Sequence, residues 1–84
     1  PMIVHAAIAR ALSENRVDSI FGLIGDANLF MVDSFVRDQQ GKFTAAANEL
    51  GAALMALGYA AVSGKPGVVS VTHGVVNTMT ALVE

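Results

Sequence analysis

A single acid is the residue of this chain best suited to chemistry. Glu49 is the only charged residue between Lys42 and Lys65, and it stands where an apolar strand pattern gives way to a helix of small residues. A carboxylate at a helix start gains about 0.3 to 1 kcal/mol from the helix dipole. An acid in apolar surroundings can instead hold or move a proton during a reaction. The pattern by itself leaves both roles open for Glu49.

Two polar clusters accompany this acid, over residues 22–28 and 72–77. In the first, Gly25 closes an apolar run, and Asp26 or Asn28 can cap the helix that follows. In the second, His73 is either a polar loop residue or a catalytic group. Neither cluster contains the dinucleotide fingerprint G-x-G-x-x-G or the Walker phosphate loop, so a nucleotide-phosphate site is not indicated.

The elements that must position these residues alternate between helix and strand spacing. We predict helices over 2–13, from the Asp26 or Asn28 cap to Gly41, over 49–63 behind an Asn48 cap, and from 77 to 84, and strands over 18–24, 42–46 and 68–72. A turn over 64–67 is predicted, with Pro66 presetting one position and Gly67 supplying a positive φ.

This alternation, with connections suited only to crossover helices, predicts a three-layer α/β/α fold around a parallel sheet. The predicted fold is incomplete, with about three strands and four helices, because three strands are too few to complete such a sheet. Ligands of such sheets bind outside the carboxyl ends of the strands. Because Glu49 and both polar clusters follow predicted strands, we expect all three at one edge of the sheet.

Composition predicts that residues 1–84 are a fragment that normally sits inside a larger protein or a tight oligomer. The chain is 54% hydrophobic and only 14% charged, against roughly 25% charged in an average domain. A chain of this length buries only about 60 to 65% of its unfolded surface. We therefore expect other segments or subunits to cover much of the apolar surface, and we expect the chain alone to self-associate.

Several classes of protein are disfavoured by residue content. The chain has no cysteine, its two histidines are far apart, and its net charge is −2. These features argue against a disulfide framework, a metal site within the chain and a nucleic-acid surface. The uncharged stretch 66–83 contains proline, histidine and asparagine, which disfavours a membrane span. With no visible signal peptide, we expect a cytoplasmic protein.

Three segments, in order, resemble the pyrimidine-binding domain of thiamine-diphosphate-dependent enzymes, in the acetolactate synthase and 2-oxo acid decarboxylase superfamily. Residues 21–29, FGLIGDANL, are similar to the family's F-G-x-P-G-D-x-N-L turn, with Ile24 where proline is usual. Residues 49–60 are similar to its E-x-x-A-x-x-x-A-x-G-Y-A block. Residues 64–68, GKPGV, are similar to its G-x-P-G-V segment.

The resemblance implies a role for each site residue. Glu49 would hydrogen-bond the aminopyrimidine ring nitrogen and promote deprotonation of the thiazolium carbon, in an enzyme that decarboxylates or carboligates 2-oxo acids. Asp26 and His73 would lie on the substrate side. The residues implied to bind the cofactor are Gly25, Glu49, Thr72, Gly74 and Asn77.

The resemblance also implies partners that this chain does not encode. The family's Mg²⁺ and diphosphate motif, which begins G-D-G, is absent here. In the family it lies in a separate domain, and the active site forms between the subunits of an oligomer. The resemblance thus implies that residues 1–84 are a partial pyrimidine-binding domain, an N-terminal fragment of a larger multidomain chain. We therefore expect Mg²⁺ to be bound elsewhere, and the isolated segment to be inactive and not to bind the cofactor measurably.

One departure keeps an alternative open. The family usually reads T-x-G-P-G-x-x-N after the third strand, whereas here Gly74 runs directly into Val75, two residues short. Either two residues are missing from the sequence or the loop is genuinely shortened. A shortened loop would favour a noncatalytic, pyrimidine-domain-like oligomerisation module. A third hypothesis is an unrelated nucleotide-binding α/β fragment.

Overall fold

The computed structural model describes residues 3–72 and the backbone of residues 82–83. Helices and strands alternate through most of this length, as predicted. The elements are α1 (Val4–Glu14), β1 (Ser19–Gly22), α2 (Leu29–Arg37), β2 (Lys42–Ala45), α3 (Glu49–Ser63), β3 (Gly67–Ser70) and β4 (Leu82–Val83).

The four strands form one sheet in the order β2-β1-β3-β4. Strand β1 is central and runs parallel to both β2 and β3, with Ile20 opposite Phe43 on one side and Val68 on the other. The prediction that these three strands are parallel is confirmed. Their carboxyl ends therefore meet at a single edge, which we call the carboxyl edge.

The prediction of a fourth helix is wrong for residues 82 and 83. Leu82 and Val83 form β4, which pairs antiparallel with β3 and places Val83 opposite Gly67. Both residues are compatible with a strand, and this pairing satisfies backbone groups that β3 would otherwise leave unpaired at its outer side. The remainder of that prediction, residues 77–81 and 84, lies outside the described residues.

Large side chains fill the core between the sheet and the helices α1 and α2. Ile20 and Phe35 are completely buried there, and Leu12, Met31 and Phe43 pack against them from the periphery of the cluster. Alternate residues of a strand point to opposite faces. Ile20 and Val68 therefore serve this face, while their neighbours Phe21 and Val69 serve the other.

Helix α3 covers the other face through small residues, which completes the three predicted layers. Ala52 and Ala56 are fully buried against Val69. The approach is so close that a Cβ atom on Gly67 would lie 2.2 Å from the carbonyl oxygen of Ala56. Glycine at the start of β3 therefore allows the backbones of α3 and β3 to touch.

Two predicted details of the connections are wrong. In the turn before β3 the positive φ belongs to Gly64, at 73°, and not to Gly67. Gly64 ends α3 in the left-handed conformation, and its N–H donates to the carbonyl of Ala60, which is a common way for a helix to end. Helix α2 ends at Arg37, four residues before the predicted exit at Gly41.

Candidate functional site

The carboxyl edge brings together four of the predicted site residues. Gly25 and Asp26 follow β1, Glu49 follows β2, and Thr72 follows β3. The last residue of β1 and the segment that follows β2 are also connected by a backbone hydrogen bond of 2.8 Å, from Ala46 N to the carbonyl of Gly22. The other predicted site residues, His73, Gly74 and Asn77, lie outside the described residues.

Asn28 organises the turn after β1. Its side chain is nearly buried, with an exposed fraction of 6%. Its Oδ1 accepts the N–H of Gly25 at 2.9 Å, and its Nδ2 donates to the carbonyl of Leu23 at 2.7 Å and to Ser70 Oγ at 3.0 Å. The amide therefore connects the turn after β1 with the end of β3.

The prediction that Asp26 or Asn28 caps α2 is wrong at the level of the side chain. Asn28 does occupy the N-cap position, but no side chain there bonds the first turn of α2. The Asn28 amide bonds the turn and the neighbouring strand instead. Asp26 is exposed to solvent at the same edge. Its predicted role on the substrate side stays a prediction.

Gly25 lies directly against Thr72. A Cβ atom on Gly25 would come within 2.5 Å of Thr72 Cγ2 and 2.9 Å of Thr72 Cβ. Contacts this short are essentially never made by a real side chain, so a larger residue would push the turn away from the end of β3. Absence of a side chain at Gly25 therefore keeps two of the predicted cofactor-binding residues in contact.

The start of α3 is built as the sequence predicts. Asn48 is extended, with φ −160° and ψ 176°, and its Oδ1 accepts the N–H of Gly51 at 2.8 Å. This is the usual arrangement of an asparagine N-cap. Glu49 is then the first residue of the helix, where the dipole favours its negative charge.

The Glu49 carboxylate is available for another group. Its side chain is half-buried. Within residues 3–72 it has no hydrogen-bond or ion-pair partner. Ala46, Ala47 and Leu50, close to it in the sequence, are apolar. An acid with this exposure and these surroundings can accept a hydrogen bond from a ligand or donate one to it.

A separate group of three polar side chains lies at the opposite edge of the sheet, which we call the amino edge. The Tyr59 hydroxyl donates to Asp18 Oδ1, and Lys65 Nζ lies 2.8 Å from Asp18 Oδ2. Hydrogen bonds from Lys65 and then Tyr59 hold the pKa of Asp18 below its usual value. Hydrogen bonding to Asp18 raises the pKa of Lys65. No local pattern predicts this cluster, since 47 residues separate Asp18 from Lys65.

Two further searches cover only the part of the chain that the structure describes. It contains no group of three or more histidine, aspartate or glutamate side chains that could hold a metal ion. No helix within it is both long enough and apolar enough to cross a membrane.

Comparison with known protein families identifies the family of this chain. Residues 2–84 match the family described as thiamine pyrophosphate enzyme, N-terminal TPP binding domain. The chain belongs to this family. Thiamine pyrophosphate is the same compound as thiamine diphosphate, so the resemblance of the three motifs is confirmed.

Two curated relatives of this thiamine pyrophosphate domain are similar in sequence. One is the mitochondrial acetolactate synthase catalytic subunit of Saccharomyces cerevisiae, 44% identical over 63 residues, which are 75% of this chain and 9% of the relative. The other is the corresponding subunit of Aspergillus candidus, 47% identical over 58 residues, which are 69% of this chain and 8% of the relative. The chain therefore spans less than a tenth of the length of these curated relatives.

The described residues of the thiamine pyrophosphate domain fit one part of the cofactor. An aminopyrimidine ring needs a carboxyl partner, backbone polar groups and an apolar wall. Glu49 is a carboxyl group of the required kind at the carboxyl edge, and Ile24, 47% accessible, is an exposed apolar side chain in the segment after β1. The diphosphate has no counterpart here, because the sequence contains neither a G-D-G motif nor a glycine-rich phosphate fingerprint.

Proposed function

We propose that this chain forms the pyrimidine-side half of a thiamine diphosphate site in an enzyme that decarboxylates or carboligates 2-oxo acids. The observation that carries the proposal is the half-buried carboxylate of Glu49 at the start of α3, which has no partner among residues 3–72. Membership of the thiamine pyrophosphate enzyme family supports it, and so does the similarity to proteins named acetolactate synthase.

Each candidate site residue has a defined role in this proposal. Glu49 hydrogen-bonds the pyrimidine ring nitrogen and holds or moves a proton there, which is general acid–base work. The other residues proposed to bind the cofactor are Gly25, Thr72, Gly74 and Asn77, and the residues proposed for the substrate side are Asp26 and His73. The bound cofactor supplies the electron sink that 2-oxo acid chemistry requires.

The outer face of α3 supports a partner for this half-site. Leu50, Leu54 and Leu57 are 69%, 58% and 52% exposed, although the opposite side of the same helix is packed on the sheet. A helix that is apolar all round is normally buried. We propose that a second subunit and a diphosphate-binding domain, which holds Mg²⁺, cover this face. The assembled enzyme would then be an oligomer with its site between subunits, in the cytoplasm.

A second candidate function is a noncatalytic oligomerisation module of the same fold. The observation that favours it is the direct junction of Gly74 and Val75, where the family usually has proline and glycine. The apolar face of α3 serves this function equally well, because an assembly surface requires no cofactor.

Titration of the longest natural protein that carries this chain, with thiamine diphosphate and Mg²⁺, tests the two functions. We expect calorimetric binding, followed by release of CO₂ or formation of a carboligation product from a panel of small 2-oxo acids. We expect the 84-residue chain alone to give no measurable binding heat, since its contacts to the pyrimidine are too few to offset the entropy of association. An assembled natural protein that neither binds the cofactor nor consumes a 2-oxo acid would refute the enzyme and leave the oligomerisation module.

A further inference from the structure

The Asn28 amide uses both of its ends, and no other residue of similar shape could do so. Its oxygen accepts from Gly25 N, and its nitrogen donates to Leu23 O and to Ser70 Oγ. Aspartate has the same size but only accepts hydrogen bonds when ionised, and leucine neither donates nor accepts. The position is also nearly buried, at 6% exposure, where an unpaired polar group is costly.

The bonds of Asn28 join two segments that are distant in sequence. Ser70 is the last residue of β3 and lies 42 residues after Asn28. It also accepts a backbone hydrogen bond of 3.1 Å from Leu23 N. Two residues beyond Ser70, the Thr72 side chain packs on Gly25. The turn after β1 is thus held to the end of β3 by the hydrogen bonds of Asn28 and Leu23 and by the contact between Gly25 and Thr72.

We propose that Asn28 is a positioning residue that makes the turn after β1 and the exit of β3 a single unit. Asn28 touches neither ring nor substrate in this account. It acts through Gly25 and Thr72, by fixing the distance between them. The consequence for cofactor binding rests on the proposed function, whereas the coupling of the two segments stands on the structure alone.

Hydrogen–deuterium exchange in the longest natural protein that carries this chain tests the coupling without any cofactor. Ser70→Ala removes only the bond to β3 and leaves Asn28 its bonds to the turn. We expect faster exchange in residues 23–28 as well as near the substitution, and unchanged exchange in α3. Faster exchange confined to the neighbours of residue 70, or raised uniformly across the protein, would overturn the proposal.

Two asparagine replacements give a matched comparison at the same edge. Asn28→Asp loses both donated bonds, whereas Asn48→Asp keeps its one bond, since Asn48 only accepts from Gly51 N. We expect Asn28→Asp to raise exchange in residues 70–72 and Asn48→Asp to leave those residues unchanged. Equal exchange in the two variants would overturn the proposal.

Cofactor titration of the Ser70→Ala protein tests the consequence. We expect the dissociation constant of thiamine diphosphate to rise about tenfold, equivalent to about 1.4 kcal/mol. We expect the turnover number at saturating cofactor to stay within about threefold, because Ser70 touches no reacting atom. An unchanged dissociation constant would overturn the positioning role. If the unsubstituted protein does not bind the cofactor, the proposed function fails instead, and the exchange experiment still decides the coupling.

Discussion

The two faces of the sheet are packed in opposite ways. Toward α1 and α2, the fully buried Phe35 and Ile20 are surrounded by other large side chains. Toward α3, the contact is made by Ala52 and Ala56, and Gly67 lets the helix backbone approach the strand directly. One face is a core of interlocking large side chains, and the other is a thin layer of small residues.

We propose that this difference separates the surface used for folding from the surface used for assembly. The face that contacts α1 and α2 places its large apolar groups inside, where their burial stabilises the chain. Helix α3 places its small residues inside, and its leucines at positions 50, 54 and 57 are left outside. The same helix begins with Glu49. We infer that α3 is the layer through which the domain meets its partners and its cofactor.

Removal of a large side chain from the first face is expected to have the largest effect. Phe35→Ala should lower the free energy of unfolding by about 3 to 5 kcal/mol, because it deletes a buried ring and leaves a cavity. Urea denaturation measures this change. Phe30→Ala is the matched control, since Phe30 is 62% exposed, and it should cost less than about 1 kcal/mol. Equal losses would show that the first face is not the main core.

A methyl group added between α3 and β3 is expected to have the second-largest effect on stability. Gly67→Ala would place Cβ 2.2 Å from Ala56 O, and we expect a loss of about 1 to 3 kcal/mol from overpacking. Gly58→Ala is the control within α3, where a Cβ meets no atom within 4 Å. That substitution should stabilise the chain by about 0.5 to 1 kcal/mol, since alanine favours a helix interior. Tolerance of Gly67→Ala in the same denaturation experiment would contradict the close contact.

Local features of the fold could be predicted from the sequence, and long-range contacts could not. Helix α3 has the predicted bounds and the predicted Asn48 cap, because small-residue spacing and an N-cap are encoded within a few neighbouring residues. The Asn28–Ser70 bond joins residues 42 apart, and the Asp18–Lys65 pair joins residues 47 apart. Such pairings depend on strand register, which no short pattern specifies.

The same reasoning explains the errors at the edges of elements. Leu82 and Val83 fit a helix pattern as well as a strand pattern, and only the open side of β3 decides between them. The excess of apolar residues predicted a covered surface. The exposed leucines on the outer face of α3 follow from the packing of Ala52 and Ala56 against the sheet, which the sequence pattern alone does not specify.

Polar replacement of the outer face of α3 is expected to affect association more than stability. Leu54→Gln together with Leu57→Gln should weaken self-association of the 84-residue chain about tenfold, equivalent to about 1.4 kcal/mol. The free energy of unfolding should change by less than about 0.5 kcal/mol per site. Analytical ultracentrifugation measures the first quantity. Ile8→Gln, at a 47% exposed position of α1, is the control. An equal effect there would mean that the chain associates through exposed apolar surface in general.

The smallest expected effect is that of low pH on the ion pair between Asp18 and Lys65 at the amino edge. The lowered pKa of Asp18 means that its contribution to stability is complete above the usual aspartate pKa and is lost as pH falls through the folded value. Lys65→Gln should therefore flatten the pH dependence of the unfolding midpoint below about pH 4. The effect should be small, because both side chains are nearly half-exposed and solvent screens such a pair. An unchanged acid profile in the variant would remove this role from Lys65.

Turnover of the Glu49→Gln variant tests the central claim most directly. Glutamine keeps the volume of the side chain but cannot hold or move the proton, so we expect turnover of 2-oxo acid by the natural protein to fall at least about a hundredfold. The thermal unfolding midpoint should change little, since loss of the interaction with the helix dipole costs only about 0.3 to 1 kcal/mol. Glu14→Gln, which alters an exposed ion pair with Arg10, should leave turnover normal. Near-normal turnover in the Glu49→Gln protein would contradict the account and reduce Glu49 to a residue that stabilises the start of α3.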